Sequence, residues 1–325
     1  MKNIAIIGAG QLGSRHLQAL SRLSFESNIF VVDPNDASLE TARERFNSVA
    51  QNLIFGINYV KNIRKIPENL DFSIIATNSN VRRKVIVDLL NQSICENILL
   101  EKVLFQKLED YIEVDNLFIK KNINAWVNCS RRMWKFYKYL NRIIKYESIN
   151  KVLVTGTDWG LACNSIHFID LISFLCRLNK YSLINHKIDK VVESKRNGYF
   201  DIIGELGGNF NNNLNFKFVS SNSGSASITI KIFTSSNLYI VKENHTKNTI
   251  RFWINSKEQI LEKSTLLIPY QSELTNIIVS EALGAGKVDL PIYSESARLH
   301  IPLILYLMTL FNNSLNKRYN LCPIT

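Results

Sequence analysis

The sequence predicts an α/β fold class: an N-terminal doubly wound parallel sheet, then a C-terminal α+β domain with a mostly antiparallel open sheet. Three features carry this reading. From Lys2 to about Asn122, short apolar runs alternate with segments of helical period. A glycine-rich turn joins the first run to the first helix. From Lys187 to Ile268 the pattern changes to alternating polar and apolar residues broken by Asn, Gly and Ser clusters.

In the first region the expected strands are Asn3 to Ile7, Ile29 to Asp33, Phe72 to Ala76 and Asn97 to Leu100. The expected helices are Gln11 to Leu23, Ala37 to Asn47, Asn80 to Asn91 and Lys107 to Lys121. Strands separated by helices imply parallel pairing, because a parallel crossover needs a dozen or so residues and usually takes them as a helix. Next come a short strand at Ile123 to Val127, a helix over Arg131 to Tyr146, a strand at Lys151 to Thr157 and a helix at about Cys163 to Arg177. Alternation at Ser227 to Phe233 and Leu238 to Lys242 marks strands of an antiparallel sheet. Helices near Gln271 to Leu283 and Glu295 to Leu315, with the Gly284 to Gly286 turn after the first, close the chain. The expected domains are 1–122 and 123–325, with the final helices as candidates to pack back on the first domain.

Composition narrows the function classes. The 325 residues are 46% hydrophobic and 21% charged, which suits two globular domains and argues against a disordered or fibrous chain. The N-terminal MKNIAIIGAG reads as a strand rather than a secretory signal. The apolar stretch Leu299 to Phe311 contains His300 and Pro302 and falls short of the ~20 residues a bilayer span requires, so no membrane role is expected. Five scattered cysteines without a CxxC pair suggest neither disulfides nor a structural zinc, which points to a cytoplasmic protein. The net charge of +11 is spread along the chain without a basic run or a nucleic-acid motif. A small anionic substrate therefore suits it better than DNA or RNA.

Gly8-Ala9-Gly10-Gln11-Leu12-Gly13 is GxGxxG placed between a strand and a helix. In that setting Gly8 permits the tight turn, Gly10 lets backbone approach a pyrophosphate, and Gly13 allows close helix-to-strand packing. The anion rests on unpaired helix N–H groups and the positive end of the helix dipole. Asp33 ends the next strand, where an acidic residue accepts hydrogen bonds from the adenosine ribose and repels a 2′-phosphate. The first domain thus reads as a Rossmann domain whose cofactor is NAD, with NADP as the alternative. Thr77, Asn78 and Asn80 follow the third expected strand, at the sheet edge where such folds bind ligand.

With these elements the chain resembles the glucose-fructose oxidoreductase, inositol dehydrogenase and rhizopine-catabolism family, written Gfo/Idh/MocA. The resemblance rests on GAGQLGSRH, on DFSIIATNSN at Asp71 to Asn80, on ILLEKVL at Ile98 to Leu104, on VNCSRRMWKFY at Val127 to Tyr137, and on GLACNSIHFIDL at Gly160 to Leu171. It implies that Thr77, Asn78, Asn80 and Glu101 line the nicotinamide half. It also implies that Lys102, in the family's EKP position, lies beside nicotinamide and substrate as the catalytic lysine. A lysine in a partly desolvated cleft can exchange protons near neutrality. Here Val103 stands where the family has proline, so the strand exit is expected to be shaped differently.

The resemblance further makes His167 a second catalytic residue and Asn164, three residues earlier on the same helix face, a substrate-positioning residue where relatives carry an aspartate four residues before the histidine. Trp159 precedes that helix as a substrate-binding candidate, and Asp170 is expected to orient the His167 imidazole. Arg131 and Arg132 match a family arginine pair and are expected to bind a substrate carboxylate or phosphate. Arg82 stands near where many relatives carry histidine. His16, His186, His245 and His300 are expected to be structural or exposed, and no metal is expected.

The implied activity is reversible hydride transfer between NAD(P) and a secondary alcohol carbon of a sugar, cyclitol or nucleotide-linked sugar, by a homo-oligomer. Two rivals share the fold: a redox-silent NAD-binding regulator, and an NAD-dependent epimerase or glycosidase working through a transient ketone.

Overall fold

The computed structural model describes residues 1–49, 55–194, 196–211, 213–224 and 227–325. They form two compact units: Met1–Phe105 with Glu109–Asn128 and Pro269–Ser294, and Gln106–Leu108 with Cys129–Ile268 and Glu295–Thr325.

The first unit is a doubly wound α/β layer. In chain order its elements are β1 (Lys2–Ile7), α1 (Gln11–Leu20), β2 (Ser27–Val32), α2 (Asp36–Asn47), β3 (Phe55–Val60), β4 (Asn69–Leu70), β5 (Phe72–Ile75), α3 (Ser79–Gln92), β6 (Ile94–Cys95), β7 (Asn97–Leu100), α4 (Leu108–Lys120) and β8 (Asn124–Val127). Six strands pair in the order β3-β2-β1-β5-β7-β8, all parallel, while β4 and β6 pair apart from them. Both faces of such a sheet are covered, so its strands read as continuous apolar runs. Ile4, Ala5 and Ile6 are fully buried, as are Phe72, Ile74 and Ile98. Helix α2 starts where Asn35 accepts a hydrogen bond from the Ser38 amide, a side-chain N-cap.

Register decides where function can sit. Ile7 pairs with Val32 and Ile75, Ile75 with Leu100, and Leu100 with Val127. The residues that follow, Gly8, Asp33, Ala76, Glu101 and Asn128, therefore leave the sheet along one carboxyl edge. The chain winds in opposite directions from β1, toward β2 on one side and β5 on the other, and the crevice opens between them.

The differences from expectation have local causes. Strand β3 is not apparent in the sequence because Gly56 and Asn58 interrupt its apolar pattern; its pairing with β2 defines it. Helix α1 stops at Leu20, where the Ser21 hydroxyl bonds the Gln18 carbonyl. The strand expected at Ile123 to Val127 is the sixth strand of the parallel sheet, so the first unit runs through Asn128 rather than ending at 122. It also recovers 269–294: α7 (Thr275–Ala285) packs on α1, the Val127 amide donates to the Pro291 carbonyl, and the Tyr293 hydroxyl donates to the Tyr111 carbonyl.

The second unit contains α5 (Lys135–Ile143), β9 (Ile149–Thr157), α6 (Leu161–Cys176), β10 (Tyr181–Glu193), β11 (Phe200–Phe210), β12 (Leu214–Ser221), β13 (Ile228–Thr234), β14 (Leu238–Asn244), β15 (Thr249–Ile254) and β16 (Lys257–Glu258). The helix expected over Arg131 to Tyr146 divides into a 3-10 turn, Ser130–Met133, and α5, because Trp134 between them is extended. These strands run β10-β11-β12-β9-β13-β14-β15-β16, antiparallel except between β9 and β12. Helix α6 lies on one face, over Val152, Val154, Phe218 and Ile230. On the opposite face Leu153, Lys231, Ile240 and Trp253 stand in one register row and are partly exposed. This is the half-covered pattern of an antiparallel sheet. The long α8 (Tyr293–Ser314), with Pro302 inside it, belongs to this unit from Glu295 onward.

Candidate active site

At the carboxyl edge of β1 the three glycines do different work. Gly8 has a φ of +97°, and a Cβ there would lie 2.9 Å from the Ala76 carbonyl carbon. A Cβ on Gly13 would lie 1.7 Å from the Gly8 carbonyl oxygen, so only glycine lets α1 approach the strand it follows. A Cβ on Gly10 would meet nothing within 4 Å. The protein's own packing does not require glycine at that position; it leaves open space over the start of α1, the space a diphosphate would fill. The first hydrogen bond of α1 runs from the Ser14 amide to the Gly10 carbonyl, and Gly10, having no side chain, offers no cap of its own. The amides of Gln11, Leu12 and Gly13 precede that bond and suit an anion. The Gln11 side chain does not join them: its Oε1 accepts from Arg45 at 2.7 Å, and Arg45 also reaches the Ser14 hydroxyl at 2.6 Å. Arg45, in the last turn of α2, carries no sequence signal for this role.

Asp33 emerges beside the glycine turn and holds it. Its carboxylate accepts from the Ala9 amide at 2.8 Å and from the Asn35 amide at 2.9 Å, which fixes an acidic group where a ribose diol would lie. Past β5, Asn78 caps α3 with its side chain unbonded to the helix, and Asn78 and Asn80 are not buried. The Thr77 hydroxyl oxygen is buried without a hydrogen-bond partner among the described residues. The residues present fit a dinucleotide: an open cradle, an anion-ready helix start and an orphaned hydroxyl along one edge.

Glu101 and Lys102 leave β7 on the same edge. Glu101 is almost fully buried, and its Oε1 is 2.9 Å from His16 Nε2 and 2.6 Å from Asn128 Nδ2. Burial opposes its charge, but the His16 hydrogen bond and charge, with Asn128 and the more distant Arg82, hold the carboxyl below its ordinary range. The ring closes through the start of α7: His16 Nδ1 lies 2.8 Å from Thr275 Oγ1, Gln271 Nε2 donates to that hydroxyl at 3.0 Å, and Asn128 Nδ2 reaches Gln271 Oε1 at 2.8 Å. The ionised carboxylate assigns the imidazole proton to Nε2. Glu101, expected to line the cofactor, thus faces inward to protein groups. Lys102 is half-buried at the strand exit, and its peptide bond to Val103 is cis although residue 103 is not proline.

In the second unit α6 carries the other expected residues. Gly160 starts it with a φ of +79°. Asn164 donates its side-chain amide to the Trp159 carbonyl at 2.7 Å and its backbone amide to the Gly160 carbonyl at 2.8 Å, so it closes the turn before its own helix. Trp159 is a core residue: it donates to the Val219 carbonyl at 2.8 Å and packs edge-on against Phe168. His167 is half-buried on the face it shares with Asn164. Asp201, which sequence reasoning missed, accepts from the Ala162 amide at 2.7 Å and caps α6 from β11; burial raises its pKa against several backbone hydrogen bonds.

The arginine pair departs most from expectation. Arg131 forms a fork to Glu243 at 3.0 and 2.7 Å and lies over the Phe168 ring. Glu243 also accepts from the Tyr137 hydroxyl and lies 3.0 Å from His245 Nε2. Arg132 forks to Asp170 at 2.9 and 2.7 Å and reaches Glu295 at 2.8 Å. Both guanidiniums are buried and neutralised within their own unit, so neither presents the open fork expected for a substrate anion, and Asp170 serves Arg132 rather than His167. Burial pushes Asp170 up to about 6 against the pull of Arg132, whereas Glu243 is drawn down to about 2 by Arg131 and His245 despite its burial.

Residues 2–129 match the family model described as oxidoreductase family, NAD-binding Rossmann fold, that of Gfo/Idh/MocA. This domain is thus similar to the NAD-binding Rossmann domain of Gfo/Idh/MocA oxidoreductases. Its cofactor is accordingly a nicotinamide dinucleotide. Among solved structures it is similar to UDP-N-acetylglucosamine 3-dehydrogenase from Acidithiobacillus ferrooxidans, at 14% identity over 94% of this chain and 96% of that one, with a TM-score of 0.68. It is also similar to a Gfo/Idh/MocA oxidoreductase from Vibrio cholerae, at 14% identity over 98% and 100% with a TM-score of 0.68. A third is the 3-ketoreductase KijD10 from Actinomadura kijaniata, in complex with NADP, at 10% identity over 93% and 95% with a TM-score of 0.68. At such identities the likeness is one of fold. No curated protein matches the chain by sequence.

The open space at Gly10 and the closed contact at Gly13 separate binding from folding. Gly10→Val will leave the melting temperature near wild type but weaken NAD binding in a calorimetric titration, whereas Gly13→Val will lower the melting temperature sharply. Glu243, whose folded pKa lies below the ordinary 4.5, contributes stability that is complete above that pH and is lost as pH falls toward 2. Glu243→Gln will therefore cost about 3 kcal/mol at neutral pH by leaving Arg131 buried and unpaired, and the gap to wild type in thermal melts will narrow on acidification.

Proposed function

We propose that the chain catalyses reversible hydride transfer between NAD and a secondary alcohol carbon of a sugar, cyclitol or nucleotide-linked sugar. The observation that carries this reading is the alignment of the Gly10 cradle, Asp33, Thr77 and Lys102 along one edge of one sheet. The activities of two structural neighbours, a nucleotide-sugar 3-dehydrogenase and a 3-ketoreductase, support the substrate class.

When bound, the nicotinamide supplies the hydride acceptor or donor. The residues of the chain do the rest. The amides of Gln11, Leu12 and Gly13 would hold the diphosphate, and Asp33 the adenosine ribose. A negative group fixed by two backbone amides disfavours a 2′-phosphate, so NAD is preferred to NADP. Thr77, Asn78 and Asn80 would bound the nicotinamide half. Lys102 Nζ would take the hydroxyl proton during oxidation and return it to the carbonyl oxygen during reduction. In the second unit Asn164 acts mainly on the turn before α6, which leaves His167 as the residue of that helix that this reading retains. The partly exposed row of Leu153, Lys231, Ile240 and Trp253 on the open sheet face supports self-association into a homo-oligomer.

Purified protein with NAD, screened against UDP-N-acetylglucosamine, myo-inositol and simple hexoses, will show absorbance growth at the reduced-nicotinamide band with at least one of them. NAD binding with no reduction by any polyol would favour a redox-silent regulator, and product formation without net NADH an epimerase or glycosidase. Lys102→Ala will lower turnover by roughly 10²- to 10⁴-fold while keeping NAD affinity, and unchanged turnover would remove its role. Asp33→Ser will narrow the preference for NAD over NADP in paired titrations.

A further inference from the structure

Arg82 takes no part in the chemistry proposed above, yet among the described residues it is the largest side chain that is wholly buried, 1% exposed in the first turn of α3. Its guanidinium donates to three carbonyls: Thr77 in the loop after β5, and Val103 and Leu104 in the loop after β7. Because β5 and β7 are neighbours with Ile75 opposite Leu100, one planar fork ties two adjacent crossovers together at the edge where ligand is expected.

A buried cation costs several kcal/mol to desolvate, and a greasy side chain of similar length would fill the same volume at lower cost, so packing alone does not account for arginine here. What arginine adds is direction. The residue before Lys102 is gripped by His16 and Asn128, and the residue after it by Arg82. Lys102 is thus a half-buried side chain whose two chain neighbours are both clamped. A proline at 103 would fix its own φ through its ring; with valine, the restraint comes from Arg82 outside.

We propose that Arg82 is a positioning residue for Lys102, its fork fixing the loop from which the lysine meets the reacting hydroxyl. This rests on the hydride-transfer reading above for its consequence in turnover, but not for its geometry.

The test uses the full-length protein with Arg82→Met, Arg82→Lys and the double variant Arg82→Met/Val103→Pro. Three quantities are read: NAD affinity by calorimetry, kcat and KM on the best polyol of the screen, and the rate at which trinitrobenzenesulfonate modifies Lys102, with and without NAD, by peptide mass spectrometry. Arg82→Met is expected to remain folded with NAD affinity little changed, to lose roughly a hundredfold in kcat with a smaller change in KM, and to change the Lys102 modification rate and its protection by NAD. Val103→Pro in that background is expected to restore part of kcat and of the modification rate, which a purely structural loss would not do. Should Arg82→Met fail to fold, Arg82→Lys, which keeps the charge but not the fork, is expected to show the same split. A folded variant with wild-type Lys102 modification and wild-type kcat would overturn the proposal. If wild type turns over no polyol, hydride transfer falls by itself, while an Arg82-dependent Lys102 modification rate would still support the positioning role and an Arg82-independent one would overturn it.

Discussion

The register of the parallel sheet is the constraint on which the rest depends. Since Ile7, Val32, Ile75, Leu100 and Val127 end level, the residues after them are delivered to a common edge without any loop having to reach for it. A slip of one residue in any pair would turn that strand's apolar side chains to the wrong face, and burial on both sides of the sheet forbids it. Precision at the edge is therefore a by-product of core packing. The glycine turn then converts a strand end into an anion site, because Gly8 and Gly13 allow α1 to start close against β1 while Gly10 keeps its first amides uncovered.

Buried polar chemistry is handled differently in the two units. In the first, a polar ring runs from Glu101 through His16, Thr275, Gln271 and Asn128, in which the carboxylate is held by hydrogen bonds from His16 and Asn128 rather than by a guanidinium fork. In the second, charge meets charge in forks, Arg131 with Glu243 and Arg132 with Asp170 and Glu295. Such forks are strongly destabilising to break and weakly stabilising to keep, so they specify one arrangement of 3-10 turn, α6 and β14 more than they strengthen it.

What is legible in the sequence is local. Strand β1, the glycine turn and Asp33 lie within a few dozen residues, each carries its own pattern, and β7 falls where its apolar run places it. Strand β3 is not legible, since its glycine and asparagine are tolerated only by a partner strand. The arginine pair is recognisable as a motif but not in its use, because nothing near Arg131 in sequence announces Glu243, more than a hundred residues later on a strand. Asn164 likewise reads as facing outward, and is bonded to a carbonyl five residues behind it. His16, one turn beyond the glycines, looks incidental for the same reason: its partners are distant in the chain.

That distance has a consequence for how the molecule is made. Thr275 lies 259 residues beyond His16, and with Gln271 it completes the ring around Glu101. A nascent chain that has emerged only as far as Asn128 possesses the six parallel strands and yet lacks the segment that satisfies its own buried imidazole. The six parallel strands are thus made before the segment that finishes them, and synthesis must pass Thr275 before the cofactor edge acquires its final polar lining.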